Sequence, residues 1–201
     1  MQAVFKRFRD DQDGVVSVEL LFAVPILMWV LMSTFVYFDA FKSQTISTRA
    51  ALTVADMISR EEQCLSRDYL EGTRNLLRAL SEVDDDPDFR VTVFRYREAQ
   101  DDLQRRWSRN RGYGRNLNNN NMNSLRDAGR IPPLANNEYA ILLETRTAYN
   151  TIANTTWWGP VSRNDQDQIE FETFTVIKPR YASQVCFDPT PDNPDSGDEV
   201  R

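Results

Sequence analysis

A chain of 201 residues, 41% of them hydrophobic, holds enough apolar material for one modest core and an anchor, not for several domains. Its net charge of −6 argues against a nucleic-acid partner, because phosphates are held by clustered Lys and Arg on a basic face. Histidine is absent, which removes Ser-His-Asp and Cys-His catalysis and His-ligated zinc. The two cysteines, Cys64 and Cys186, are too few and too far apart for a Cys-x-x-Cys redox pair or a four-thiolate metal site.

The first predicted element is a membrane helix over residues 15–38, a run of 24 whose only charge is Glu19 and whose only helix breaker is Pro25. Such a helix is about 36 Å long against about 30 Å of bilayer hydrocarbon, so it crosses with some tilt. A removable secretory signal has a shorter apolar region followed by a small-residue cleavage site, whereas this run continues into Asp39-Ala40-Phe41-Lys42. Lys6, Arg7 and Arg9 lie just before the span and favour a cytoplasmic N-terminus, although Asp10, Asp11 and Asp13 cancel them in net charge. Residues from about Asp39 onward are therefore expected on the far side of the membrane.

Beyond the span, Ile46, Ala50, Val54, Met57 and Ile58 recur at helical steps, so the helix is expected to continue out of the membrane with one apolar stripe, read as core packing and not as a cofactor groove. A second helix is marked by Tyr69, Leu70, Thr73, Leu76, Leu77 and Leu80, with Ser66 as its cap and Asp84-Asp85-Asp86-Pro87 as its stop. Three stretches alternate as strands: residues 89–97 with Phe89, Val91 and Val93 on one side, 138–149 with Tyr139, Ile141 and Leu143, and 168–178 with Ile169 and Phe171. Between the first two, a polar region ending in the asparagine-rich residues 116–123 and then Ile131-Pro132-Pro133 reads as a long loop. The Pro-rich acidic residues 188–201 have too little apolar content to fold. The expected class is α+β: a long N-terminal transmembrane helix continuing outside, a second helix, and a small antiparallel sheet packed on the helices.

Several clusters invite chemistry. Asp84, Asp85, Asp86 and Asp88 offer oxygens to calcium, but the EF-hand spacing is missing and an acidic helix-ending loop is the commoner reading. Arg105, Arg106, Arg109, Arg111 and Arg115, interleaved with Trp107 and Tyr113, read as a solvated loop before a contact surface for another subunit or an anionic polymer. Trp157-Trp158-Gly159-Pro160 reads as a turn with its tryptophans packed inward, ahead of an adhesive tip. Asn154-Thr155-Thr156 matches a glycosylation sequon that carries little weight, and Glu144, Glu170 and Glu172 fall on the solvent face of their strands by alternation. No nucleophile-base pair is recognisable, so no catalytic residue, metal site or cofactor is assigned and an enzyme is not expected.

The junction before the span carries the most specific signal: Asp13-Gly14-Val15-Val16-Ser17-Val18-Glu19, a charged leader, a glycine, then an apolar run with glutamate as its fifth residue. This resembles the prepilin peptidase site of type IV pilins, where the leader is cut on the cytoplasmic side after the glycine. The resemblance implies a leader of residues 1–14 ending at Gly14, a mature N-terminus at Val15, and Glu19 as the assembly glutamate whose partner is the N-terminal amine of a neighbouring subunit. The pattern is sound physically: a glycine at the cut leaves extended backbone accessible, and a carboxylate inside the bilayer carries a cost that calls for a partner. The layout, with Arg49-Ala50-Ala51 through Asp56-Met57-Ile58-Ser59-Arg60 and Val185-Cys186-Phe187, is similar to the TadE-like minor pilins of tight-adherence (Tad) pilus systems.

Membership would imply a pilin-like, non-enzymatic subunit of a bacterial inner membrane, single-pass, with residues 39–187 as its periplasmic domain. It would act in priming, surface attachment or the tip of a pilus. Its partners would be the prepilin peptidase, other major and minor pilins, the inner-membrane assembly platform and the lipid bilayer, with no nucleic acid. A type II secretion pseudopilin and an uncleaved bitopic periplasmic binding module are the alternatives. In an oxidising periplasm the only two thiols are expected to pair as a Cys64–Cys186 disulfide.

Overall fold

The computed structural model describes residues 15–83, 85–149 and 169–188. Helix α1 (Val15–Ser59) is one continuous rod of 45 residues that passes through Pro25, or about 68 Å at the helical rise. No glycine interrupts it, and its last turn tightens where Arg60 N donates to Met57 O at 3.1 Å. Helix α2 (Arg67–Ser81) begins at Ser66, whose hydroxyl accepts from Tyr69 N at 3.1 Å, and ends where Glu82 turns left-handed at φ 54°. It stops ahead of the Asp-Asp-Asp-Pro run rather than at it.

The sheet has four antiparallel strands, one more than the sequence reading counted: β1 (Asp88–Arg97), β2 (Asp102–Arg111), β3 (Tyr139–Tyr149) and β4 (Ile169–Ile177), in the order β2-β1-β3-β4. The extra strand is β2, which occupies much of the basic stretch expected to be loop. It pairs with β1 through a tight connection containing a 3-10 turn (Glu98–Gln100), and a bulge lies at Val93/Phe94 of β1. A second correction is helix α3 (Asn119–Asp127), formed within the asparagine-rich run and capped where Asn118 Oδ1 accepts from Asn121 N at 2.8 Å.

The outer half of α1 lies along β3 and β4 and against α2. One sheet face carries Phe89, Val91, Val93, Trp107, Ile141 and Leu143 onto Ala50, Val54, Ala55 and Ile58 of α1 and Leu70 and Leu77 of α2. Each fully buried aliphatic side chain here contributes roughly 1.5–3 kcal/mol of transfer free energy. Alanines at 50, 51 and 55 keep the α1 side of this interface small, so the backbone approaches the sheet closely. Leu76 and Leu80, expected on the apolar stripe of α2, instead remain 36% and 38% exposed. The opposite sheet face has its own small core, in which Phe94, Leu103, Ala140 and Leu142 meet Leu117, Met122 and Ile131.

Candidate functional site

Among the described residues one helix is long and apolar enough to cross a membrane, and its apolar stretch is almost wholly uncovered by the rest of the chain. Leu20, Leu21, Phe22, Ile26, Leu27, Trp29, Leu31 and Phe35 are all half or more exposed. In water that surface would be untenable, whereas in lipid it is the natural exterior. Two of its hydroxyls are satisfied internally: Ser33 donates to Trp29 O at 2.9 Å and Thr34 to Val30 O at 2.8 Å. Glu19 is exposed on this same half, one turn into the helix. Val15 is the first residue of α1, and Gly14 lies outside the described residues.

The covered half begins at Asp39. Tyr149, at the end of β3, donates its hydroxyl to the Asp39 carboxylate and stacks on Phe171 with ring centroids 6.1 Å apart. Burial, reinforced by that hydrogen bond, pushes the Tyr149 hydroxyl up to about 12. The sheet therefore meets the helix where the apolar run ends, with no linker between them.

At the far end, Cys64 and Cys186 form a disulfide that ties the turn after α1 to the strap following β4. The strap is pinned beside it: Leu65 N donates to Cys186 O at 2.9 Å, and Asp188 N to Leu65 O at 2.8 Å. Trp107 Nε1 donates to Val185 O at 2.8 Å while its ring lies 5.5 Å from that of Phe187. Trp107, from the basic stretch, is thus a core residue, and Arg109 covers Phe187 at 4.5 Å. Arg105, Arg106, Arg109 and Arg111 stand on strand β2, and Arg115 follows it.

Among the described residues no group of three or more His, Cys, Asp or Glu side chains converges as a metal site would require. Asp86 is engaged by Arg78 at 2.8 Å and Arg74 at 3.4 Å. Asp88 packs on Gly112, where an added Cβ would fall 1.6 Å from its Oδ1. Burial raises the Asp88 carboxyl above its usual range, against the pull of Arg146 and Arg74.

The three glutamates share the sheet face away from α1, but not as a solvated set. Glu144 is largely covered and takes a bidentate pair of bonds from Arg90, at 2.6 and 2.8 Å, while Arg146 lies between Glu170 and Glu172. The Tyr113 ring sits under both arginines, 4.6 Å from Arg90 and 5.1 Å from Arg146. Every carboxylate there faces a guanidinium and no free base is poised over a cavity, so the arrangement is that of a structural ion network. The Trp157-Trp158 turn and the Asn154 sequon lie outside the described residues. No family model, curated protein or solved structure matches this chain significantly.

Proposed function

We propose that this chain is a minor pilin-like subunit of the type IV prepilin class, of the Tad kind, anchored in the inner membrane with residues 39–187 in the periplasm. The observation that carries the reading is the division of α1: one continuous helix is bare and apolar for its first half and clamped on an antiparallel sheet for its second. A subunit that leaves a membrane to join a fibre needs such a helix, since the face solvated by lipid is then free to pack on other helices. The Gly14-Val15 junction and Glu19 give the reading its particular class. Cleavage after Gly14 frees the amine of Val15, and a Glu19 carboxylate in the bilayer is stabilised by the amine of a neighbouring subunit. The protein acts through these contacts and not by catalysis.

The mass of the membrane-extracted chain tests the proposal. A mature protein starting at Val15, and retention of the leader in Gly14→Leu, is the expected result; a wild-type chain that keeps Met1 overturns it in favour of an uncleaved anchor. Glu19→Ala is expected to insert normally yet to co-purify poorly with other pilins of the same system, with Glu19→Asp intermediate. Undiminished association of Glu19→Ala would remove the assembly role.

A further inference from the structure

The two edges of the sheet are treated differently. On β2, the outer backbone N–H of Leu103 donates to Asn123 Oδ1 at 2.8 Å and that of Arg105 to Asn119 Oδ1 at 2.9 Å, so α3 lends its asparagines as a surrogate strand. An edge so capped no longer templates another chain. On β4 the described residues supply nothing comparable: β3 is its one sheet neighbour, and no described backbone or side-chain group bonds its outer edge. Alongside the end of that edge runs a cavity of about 420 Å³, lined by Leu52, Asp56 and Ser59 of α1 and by Ile177, Lys178 and Arg180. Leu52 stands 48% exposed on its wall.

We infer that the β4 edge and the adjoining α1 groove receive an extended segment of another polypeptide, which adds a fifth strand with apolar side chains toward α1 and basic ones toward Glu170 and Glu172. The alternation of β4 sets that pattern. Ile169, Phe171 and Ile177 lie on the α1 side, whereas Glu170 and Glu172 lie on the other, where among the described residues the two carboxylates share one ion-pair partner, Arg146. A basic residue opposite Glu172, itself well exposed, completes the pair. The mode is strand addition, in which the backbone ladder supplies affinity and alternate side chains supply specificity.

The edge strands described for this chain do not fit the site in a second copy. β4 starts level with Asp39, through Tyr149 opposite Ile169, and ends level with Ser59, so it runs parallel to α1 over about 30 Å by either rise. Antiparallel pairing of β4 with its own copy would point the two membrane helices in opposite directions. Pairing of β4 with the β2 edge of a neighbour keeps the anchors aligned, but Asn123 and Asn119 already take the outer amides of Leu103 and Arg105 on that edge. The acidic residues 189–201, interrupted by Pro189, Pro191 and Pro194, carry the wrong charge for the role.

The test uses the full chain in zwitterionic nanodiscs, which do not themselves attract basic peptides, and an acetylated alternating Val-Lys peptide of about ten residues, an ordinary strand length. The expected result is saturable binding, new hydrogen-exchange protection on β4, and about tenfold weaker binding by Glu170→Lys/Glu172→Lys, with Glu172→Gln between. Alternating Val-Glu and block Val-Lys peptides should fail on the wild type. The inference is overturned by absent binding, by equal binding of the Val-Glu or block peptide, or by indifference to the charge changes. It is equally overturned if the outer β4 amides are fully protected in the free dilute chain, which assigns the edge to the chain's own connection, or if protection rises with protein concentration alone, which assigns it to a second copy.

Discussion

The two halves of α1 have the same secondary structure and opposite surroundings. Residues 18–38 are bulky and uncovered, with Leu, Phe, Met and Trp pointing outward all round, while the buried positions of residues 46–59 are mostly small, Ser47, Ala50, Ala51, Val54, Ala55 and Ser59, with Ile58 the one large side chain. The difference follows from what each half must satisfy. In lipid the helix gains by presenting apolar bulk in every direction, whereas against a sheet it gains by close approach, which large side chains would prevent. Hydrophobicity alone would rank the first half as the better core, and it is the half that buries nothing.

That contrast predicts where damage registers. Breaking the disulfide with Cys64→Ser/Cys186→Ser releases a loop of 122 residues and removes the tie at the clamped end; the chain-entropy model gives a loss of about 4–5 kcal/mol, an upper figure. Urea unfolding of the detergent-extracted protein, followed by tryptophan fluorescence, measures it. Ile58→Ala, at a position with no exposure between helix and sheet, is expected to cost about 2–5 kcal/mol in the same assay. Ser66→Ala removes the α2 cap and should cost about 1 kcal/mol. Ile26→Ala deletes a side chain of the same size from the uncovered half and should leave the unfolding midpoint of the outer domain unchanged. A loss at position 26 equal to that at position 58 would mean that the halves are not distinct.

Much of this arrangement is legible in the residues. The span, the continuation of α1, the Ser66 cap and the sides of β1, β3 and β4 follow from periodicity and cap chemistry, because each of those elements buries one consistent face. β2 escapes such a reading because Leu103 and Trp107 are its few large inward residues, the register with β1 slips at Val93/Phe94, and arginine and asparagine fill the rest. α3 escapes because asparagine is a poor helix former whose value here lies in side-chain oxygens offered to β2. Glu144 is on the face that alternation assigns, but its cover, Arg90 with Tyr113 above, comes from a distant strand and loop that no local pattern announces. The disulfide needs only compartment logic, since two thiols have a single way to pair.

A rod that is continuous from the bare apolar stretch to the domain behaves as a screw thread. Each residue of α1 advances about 1.5 Å and turns about 100°, and the clamp at Asp39 and Tyr149 leaves no swivel between the uncovered half and the sheet. Inserting one alanine between Phe41 and Lys42 would therefore swing the β4 edge through more than a quarter turn around the helix axis while scarcely lifting it. Inserting seven would nearly restore the bearing and raise the domain by about 10 Å. Azimuth and height of the outer domain are thus set by the count of residues along one helix, so that a neighbour docked on the bare half meets the sheet at a single fixed compass heading.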